Sequence, residues 1–299
     1  MAARRTRSTG VAGALVAVLM AACGGSSNGP TPVPQPPASS GPPSAGPSVN
    51  LAPVIDGITV GAERAEVDTD VTLTAAVTDD QTPLDQLTFE WKADVGTFSG
   101  EGASVKWRAP KNIRTPVDYE IALTVTEIYG TPDRSGVRPQ NVTTAKAPVI
   151  RVHNSPKELG DMSLQFLANF ADSSVSTSTC LRDFSDSCRG KGEEKTDIDN
   201  NRAYYRILSS SLELRSVSVV SNALTARMTV ACSFTSRIES CLPAGPAAPA
   251  CSMVGSTETV RGDCNLTGVY EQKRWWLCDS RFASNGVLPL SMRGFFGIR

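Results

Sequence analysis

The chain has 299 residues, with 29 Lys and Arg against 30 Asp and Glu, and its formal net charge at pH 7 is −1. Without the first 22 residues, which hold Arg4, Arg5 and Arg7 but no acidic residue, 26 basic side chains stand against 30 acidic ones, a net charge of −4. A protein that binds nucleic acid needs a basic surface to neutralise phosphates. The charge balance therefore excludes nucleic acid as a partner.

The N-terminus has the pattern of an export signal. Three arginines precede an apolar run, Val11 to Ala22, which is shorter than the ~20 residues of a transmembrane helix and is typical of a signal peptide. The run ends in Met20-Ala21-Ala22-Cys23, which resembles the lipobox of bacterial lipoproteins. The resemblance implies cleavage before Cys23 and acylation of its thiol by palmitate-like chains. The alternative is an ordinary signal peptide followed by an incidental cysteine.

These features predict an exported protein, attached to a bacterial membrane through its N-terminal lipid, at the outer membrane or cell surface. Residues 1–22 are then the signal peptide, and residues 23–50 are the lipidated cysteine and a linker. The linker is nearly all Gly, Ser, Pro and Ala, so it has no side chains to form a core. It spans at most ~80 Å.

Cysteine usage divides the remaining chain into two predicted domains. Residues 51–154 have no cysteine, whereas residues 155–299 have seven. Each segment has the length of an ordinary domain. In an exported protein such a cluster of cysteines indicates disulfide bonds.

Residues 51–154 have the alternation of apolar and polar residues that predicts short strands in a β-sandwich, as in "VTLTAAV", "LTFEWKA" and "YEIALTVTE". Together with "APVIDGITV" and "GTFSGEGASVKWRAP", these segments resemble polycystic-kidney-disease (PKD) and related immunoglobulin-like repeats. The resemblance implies a spacer or adhesion module with no chemistry of its own, and it assigns Trp91 to the core.

Three acidic residues, Asp79, Asp80 and Asp85, lie close together in one loop of this domain. A calcium site needs six to eight oxygen ligands in a closing geometry. We expect a solvated turn here, with calcium binding as the alternative.

Residues 155–299 begin with a helical pattern, for which Ser155 is the predicted N-cap and Pro156 the first helical residue. A region of loops and short helices follows, and then long alternating strands, which predict an α+β fold with the helix on a curved antiparallel sheet. Three segments, "MSLQFLANFAD", "DFSDSC" with "EEKTDIDNN", and "CNLTGVYEQKRWWLCDSRF", resemble the nuclear-transport-factor-2-like (cystatin-like, ketosteroid-isomerase-like) cone. That family contains isomerase- and cyclase-like enzymes, and also non-catalytic ligand binders and dimerisation modules.

The second domain has no histidine, and its carboxylates fall mostly in predicted loops or beside basic residues. General acid–base catalysis needs a titrating group within reach of the substrate. We therefore expect no enzyme, no cofactor and no metal site. Tyr205 and Tyr270 are candidates to line a pocket.

The seven cysteines are sorted by their positions. Cys180 with Cys188 and Cys241 with Cys251 bracket short loops, and each couple is expected to pair. The other three share their parity with apolar strand residues, so two of them are expected to bond across the sheet, with the choice left open. They are Cys232, Cys264 and Cys278.

The stretch "KRWWLCDSRF" places two tryptophans side by side, and neighbours in a strand point to opposite faces. Parity with Cys278 assigns Trp276 to the interior. Trp275 and Leu277 then share the other face and need a cover. The candidates are the first domain, the C-terminal tail with Phe295, Phe296 and Ile298, or a second subunit that forms a homodimer through the sheet face. The tail itself is expected to pack back on the chain, with docking of a partner as the alternative.

The sequence thus favours a non-enzymatic binding or interaction module of the cell envelope, which takes a small hydrophobic ligand or a protein partner. An isomerase- or cyclase-like enzyme and a purely structural envelope protein are the alternatives. A carboxylate beside a tyrosine in an apolar pocket favours the enzyme, whereas a core filled by side chains favours the structural role.

Overall fold

The structure is a computed structural model that describes residues 49–220, 224–241 and 251–284. The predicted signal peptide, Cys23, the linker and the apolar tail lie outside the described residues. Within those three ranges, no helix is long and apolar enough to cross a membrane. The chain is rich in strands, and most of its sheets are antiparallel.

Ten short strands occupy residues 54–153. They are β1 (Val54–Val60), β2 (Arg64–Glu66), β3 (Asp70–Thr78), β4 (Thr88–Lys92), β5 (Thr97–Ser99), β6 (Ser104–Arg108), β7 (Val117–Tyr119), β8 (Ala122–Ile128), β9 (Gln140–Lys146) and β10 (Ile150–His153). Apolar and polar residues alternate along them, so that every second side chain of β3 is buried. The alternation that the sequence shows is thus the alternation between core and solvent.

These strands form three sheets. One has the order β1-β3-β6-β5, the second β4-β8-β9, and the third β2-β10-β7. The first two sheets pack face to face, because buried residues of β3 such as Val77 share a core with Leu123 and Val125 of β8. In the third sheet, β10 is parallel to β2 and antiparallel to β7.

The fully buried tryptophan of this region is Trp107, whereas the predicted Trp91 packs against the core but is only partly buried. Trp107 lies on an inner strand of the four-stranded sheet, and its Nε1 donates to the carbonyl of Val95 at 3.0 Å. Trp91 lies on β4, an edge strand, and is only half-buried. An edge strand has a neighbour on one side alone, so its side chains are covered less completely.

The acidic loop forms a turn. The Oδ1 atom of Asp79 accepts the backbone N–H groups of Gln81 at 2.9 Å and Thr82 at 2.7 Å. This arrangement is an Asx turn, in which the side chain takes the place of a backbone acceptor. No group of three or more metal-ligating side chains occurs among the described residues.

The described residues from 155 onward form three α-helices and four long strands. They are α1 (Ser155–Ala171), α2 (Thr177–Cys180), α3 (Gly190–Tyr204), β11 (Tyr205–Val219), β12 (Thr225–Ile238), β13 (Thr257–Glu271) and β14 (Arg274–Ser284). The strands form one antiparallel sheet in the order β11-β12-β13-β14. Helices α1 and α3 pack on one face of it.

The cap of α1 lies one residue before the predicted one. The side chain of Asn154 accepts the backbone N–H of Lys157 at 3.2 Å, so Asn154 is the N-cap and Ser155 the first helical residue. Ser155 points its hydroxyl into a buried contact described below. The 15 residues of α3 lie in the region predicted as loops and short helices, and they form a longer helix than expected although their sequence is strongly polar.

The two faces of the sheet differ in polarity. The helix-covered face carries the core, in which Met228, Val230 and Phe234 of β12 are fully buried. The opposite face is polar. There the hydroxyls of Thr235 and Thr259, on neighbouring strands, share a hydrogen bond of 2.9 Å. The core of this sheet therefore lies on its helix-covered face.

A β-bulge at Cys278 interrupts the alternation of β14. Thr267 pairs with Asp279, but the next residue, Gly268, pairs with Leu277, so Cys278 has no partner in the ladder. Before the bulge, odd-numbered residues of β14 face the core, and after it, even-numbered residues do. Trp275 is 1% exposed and Leu277 is fully buried.

The assignment of Trp276 to the interior was therefore wrong. Trp276 is half-buried on the other face, where the guanidinium of Arg274 lies 3.9 Å from its ring centroid. Strict parity fails because the bulge puts an even-numbered residue, Phe282, on the same face as Trp275.

Three disulfide bonds join six cysteines. Cys232 bonds to Cys264 across neighbouring strands, and Cys241 bonds to Cys251, the pair that brackets the predicted loop. The third bond joins Cys188 to Cys278, with a Cα–Cα distance of 5.2 Å. Structural disulfides form and persist in oxidising compartments, so these bonds indicate an exported protein.

The predicted pair of Cys180 and Cys188 was wrong, since Cys180 is a free, buried thiol. Cys180 ends α2 and faces the core, where Arg202 donates to its Sγ at 3.4 Å. The segment that follows runs beside β14, because the N–H of Ser185 donates to the carbonyl of Leu277 at 2.8 Å. This contact brings Cys188 next to Cys278.

Peptide mapping checks the disulfide pattern. Trypsin cleaves after Arg182 and so separates Cys180 from Cys188. Without reduction, we expect the peptide of Cys188 to be linked to that of Cys278. We also expect the peptide of Cys180 to be alkylated only when the reagent is added after unfolding, because burial shields the thiol and raises its pKa. A linked peptide containing Cys180 and Cys188 would contradict the structure.

Candidate functional site

A cavity lies between α1, α3 and the end of β14. It is partly open to solvent, and its volume is about 30 Å³. Nine residues line it: Phe166, Leu167, Phe170, Glu194, Asp197, Cys264, Ser280, Arg281 and Phe282. Three of these described residues are phenylalanines, and the charged or hydroxyl groups come from α3 and β14.

Local structure brings these residues together. Phe166 and Phe170 are four residues apart and lie on the same face of α1. Glu194 and Asp197 are three residues apart on α3. Ser280 faces the core only because the bulge at Cys278 precedes it in β14.

Glu194 is the chemically distinctive residue of the cavity. Its side chain is 8% exposed, and its Oε2 accepts the hydroxyl of Ser280 at 2.6 Å. Burial raises its pKa to about 7, the Ser280 hydrogen bond opposes this rise, and the carboxylates of Asp197 and Asp279 add to it. Among the described residues, Oε1 has no protein partner.

This arrangement gives Glu194 two chemical properties. Its carboxyl gains or loses a proton near neutral pH, as groups at functional sites often do. It also lines a mainly apolar cavity and keeps one acceptor oxygen without a hydrogen bond from the described residues. It is therefore suited to hold a ligand group that donates hydrogen bonds or carries a positive charge.

A second, wider cavity of about 390 Å³ adjoins the first on the outer side of β14. It is lined by Cys188, Arg189, Gly190, Glu193, Thr267, Cys278, Asp279 and Arg281. Arg281 belongs to both linings, and its Nε donates to Asp279 at 2.9 Å. Its side chain is 78% exposed, so this cation points away from Glu194 toward solvent.

The predicted residues Trp275 and Tyr270 line neither of these cavities. They lie at the contact between residues 49–154 and the second region, where β10 continues into α1 with Asn154 between them. Trp275 donates from Nε1 to the hydroxyl of Ser155 at 2.7 Å. Ser155 in turn donates to Glu66, at the end of β2, at 2.5 Å.

A second chain of contacts crosses the same junction. His153 is fully buried, with Nδ1 at 2.8 Å from Glu158 and Nε2 at 3.0 Å from the hydroxyl of Tyr270. The guanidinium of Arg64 lies 4.5 Å from the ring centroid of Tyr270 and 5.4 Å from that of Trp275. Trp275 and Leu277 thus lie in the core under the helices, so the prediction that they need a separate cover was wrong, although Trp275 also contacts Arg64 of the first region.

Two further predicted site residues are part of the core. Tyr205 is 4% exposed at the start of β11, and burial raises its pKa to about 12. Leu277 packs within the core of the second region, beside Phe184. Neither lines a cavity described above.

Glu194 was missed at the level of sequence, although a signal for it exists. Glu194, Ile198 and Asn201 are the buried residues of α3 and follow the i, i+4, i+7 spacing of a helix face. In a segment as polar as "EEKTDIDNN", one isoleucine is a weak marker of that face.

Comparisons with known proteins give only distant likeness. No protein-family model matches the chain, and neither does any curated protein. Among solved structures, a candidate aromatic ring hydroxylase from Novosphingobium aromaticivorans is 12% identical, with a TM-score of 0.34, over 46% of this chain and 94% of its own.

Two other solved structures are similarly remote. The intermembrane space region of the chloroplast protein ARC6 is 9% identical, with a TM-score of 0.31, over 42% of this chain and 97% of its own. Rv3472 from Mycobacterium tuberculosis, a protein of unknown function, is 11% identical, with a TM-score of 0.27, over 42% of this chain and 72% of its own. At such scores the likeness contributes nothing to the interpretation of the cavity.

The pKa of Glu194 predicts how stability depends on pH. The folded protein holds the proton up to about pH 7, whereas an unfolded chain releases it near 4.5. The free energy of unfolding should therefore fall as pH rises through this window, by about 3 kcal/mol in total. Between pH 5 and pH 8 we expect wild type to lose about 2 to 3 kcal/mol more than Glu194→Gln in urea denaturation.

The matched control is Glu213→Gln, which neutralises an exposed carboxylate on β11, the far edge of the sheet. This variant should keep the pH dependence of wild type. Parallel curves for wild type and Glu194→Gln would show that Glu194 ionises normally in the folded protein.

Proposed function

We propose that this chain is an exported, lipid-anchored envelope protein whose second region binds a small molecule at the Glu194 cavity without transforming it. The observation that carries the proposal is the Glu194 carboxyl, which is buried, lines the cavity beside three phenyl rings and is held by Ser280 through one oxygen only. The lipid on Cys23 and the linker would hold this binding region away from the membrane.

The energetics of Glu194 favour binding over a purely structural role. A carboxyl whose pKa is raised to about 7 makes the folded state less stable at neutral pH, by about 3 kcal/mol. A residue of similar shape without charge would fill the same space at no such cost. Groups that destabilise the fold in this way are typical of functional sites.

The architecture we propose is an immunoglobulin-like sandwich followed by a cone. The stacked sheets of residues 54–146 and the helices on a four-stranded antiparallel sheet support this hypothesis. The sandwich would act as a spacer. The junction of Trp275 with Ser155 and of Tyr270 with His153 would keep the binding region in a fixed orientation on it.

A small ligand suits the second region better than a second copy of the chain at the sheet face. The uncovered face is polar, and its hydroxyl groups are hydrogen-bonded to one another, as in the pair of Thr235 and Thr259. Stable homodimer interfaces are more apolar than the average surface.

An isomerase- or cyclase-like enzyme is the second candidate, and the pKa of Glu194 favours it. A carboxyl with a pKa of about 7 serves as a general base or acid at neutral pH. However, the described lining of the cavity has no tyrosine to hold an oxyanion. The volume of the cavity is about 30 Å³, whereas sites that enclose a whole ligand have ~300 Å³ or more. A binding site needs to take in only the head of its ligand.

Ligand-observed NMR tests the binding function. Small apolar fragments with a polar head should give saturation-transfer signals with wild type and lose them with Ser280→Met, which fills the cavity from β14. The matched control is Ser233→Met on the polar face of the same sheet, which should keep the signals. Fragments that bind equally to both variants would contradict the proposal, and chemical change of a bound fragment would favour the enzyme.

Fractionation of cells tests the anchor. We expect the full chain in the membrane fraction of a bacterial host and Cys23→Ala in the soluble fraction, because the acylated thiol is the proposed attachment. Cys180→Ala removes the buried free thiol and should stay with the membrane. Membrane recovery of Cys23→Ala equal to that of wild type would refute the lipid anchor.

A further inference from the structure

We propose that the ligand of the Glu194 cavity is a primary amine with an apolar body, bound with its ammonium group against Glu194 and its body between the phenyl rings. The inference rests on the binding function proposed above and specifies the chemical class of the ligand. Three observations carry it: the size of the cavity, the charges that line it, and the nature of its walls.

The volume of the cavity fits a small head group. About 30 Å³ holds two or three groups the size of water, each of which takes ~10–15 Å³ by this measure. A primary ammonium is of that size, whereas an aromatic ring or a trimethylammonium group is several times larger. The cavity opens to solvent, so the body of the ligand would lie along its mouth.

The charges at the cavity favour a cation. Glu194 and Asp197 line it from α3, and Asp279 stands close enough to raise the pKa of Glu194. Among the described residues of the lining, Arg281 is the basic one, and it pairs with Asp279 and is largely exposed to solvent. An anionic ligand would face these carboxylates, whereas an ammonium group has an acceptor ready in Oε1 of Glu194.

The walls favour an organic cation over a metal ion. Phe166, Phe170 and Phe282 present aromatic rings, which attract ammonium groups and pack against apolar chains. A metal ion would need several oxygen or nitrogen ligands, and the described residues contain no such cluster. The site thus combines the buried carboxyl of Glu194 with apolar walls.

Binding should release a proton at acid pH. Asp197 from α3 and Asp279 from β14 raise the pKa of Glu194, and Ser280 from β14 lowers it. Arg281 of β14 also lines the cavity, whereas the described lining residues of α1, Phe166, Leu167 and Phe170, are uncharged. Below pH 7 the carboxyl carries a proton that an ammonium ligand must displace. Affinity should therefore be highest between pH 7 and the pKa of the amine.

Isothermal titration calorimetry on the full chain tests the class of ligand. At pH 7.5 we expect phenethylamine to bind at least ~10-fold more tightly than phenethyl alcohol, phenethyltrimethylammonium or phenylacetate, since only the amine offers a small cation. Between pH 7.5 and 5.5 its affinity should fall ~20-fold. The heat in buffers of different ionisation enthalpy should report the released proton.

Variants assign the effect to Glu194. Glu194→Gln should weaken phenethylamine at least ~10-fold, leave phenethyl alcohol unchanged and abolish the pH dependence. Asp197→Asn should weaken the amine ~2- to 5-fold without altering the buried side chain. Glu213→Gln should bind as wild type. Circular dichroism and thermal melting of each variant establish that it is folded.

Two outcomes overturn the inference in distinguishable ways. If phenethyl alcohol binds as tightly as the amine and Ser280→Met abolishes both, the cavity binds ligands but not the class proposed. If Ser280→Met changes the binding of no probe, the cavity is not a ligand site, and the proposed binding function fails together with the inference.

Discussion

One extra residue in the last strand determines how the second region is organised. Because Cys278 forms a bulge in β14, the residues before and after it reach the same face of the sheet with opposite parity. Trp275 and Leu277 on one side of the bulge, and Ser280 on the other, all point under the helices. Cys278 itself lies at the outer cavity, where Cys188 can reach it.

The bulge therefore links two distant features, the junction and the cavity. On its N-terminal side, Trp275 reaches Ser155, the first residue of α1, and through Ser155 the carboxylate of Glu66 in the first region. On its C-terminal side, Ser280 fixes one oxygen of Glu194. The same strand thus holds both the orientation of the second region on the first and the floor of the cavity.

The sequence predicted repeating features well and single irregularities poorly. The alternating strands and the first helix follow from periodicity, which many residues express together. A bulge depends on one residue and leaves the composition of the strand unchanged, so parity misplaced Trp275 and Trp276. The pairing of Cys188 with Cys278 requires the loop contact of Ser185 with Leu277, which no spacing encodes. Glu194 was hidden because its helix face is marked by one isoleucine.

Two free-energy contributions explain how the fold tolerates a buried carboxyl in this region. The ionised Glu194 costs about 3 kcal/mol at neutral pH. The bond between Cys188 and Cys278 spans 90 residues, and closing a loop of that length restricts the unfolded chain by about 4–5 kcal/mol. It attaches the segment before α3 to the strand that carries Ser280, two residues from the bond. The contribution of the disulfide to the free energy of unfolding therefore exceeds the cost of the ionised Glu194.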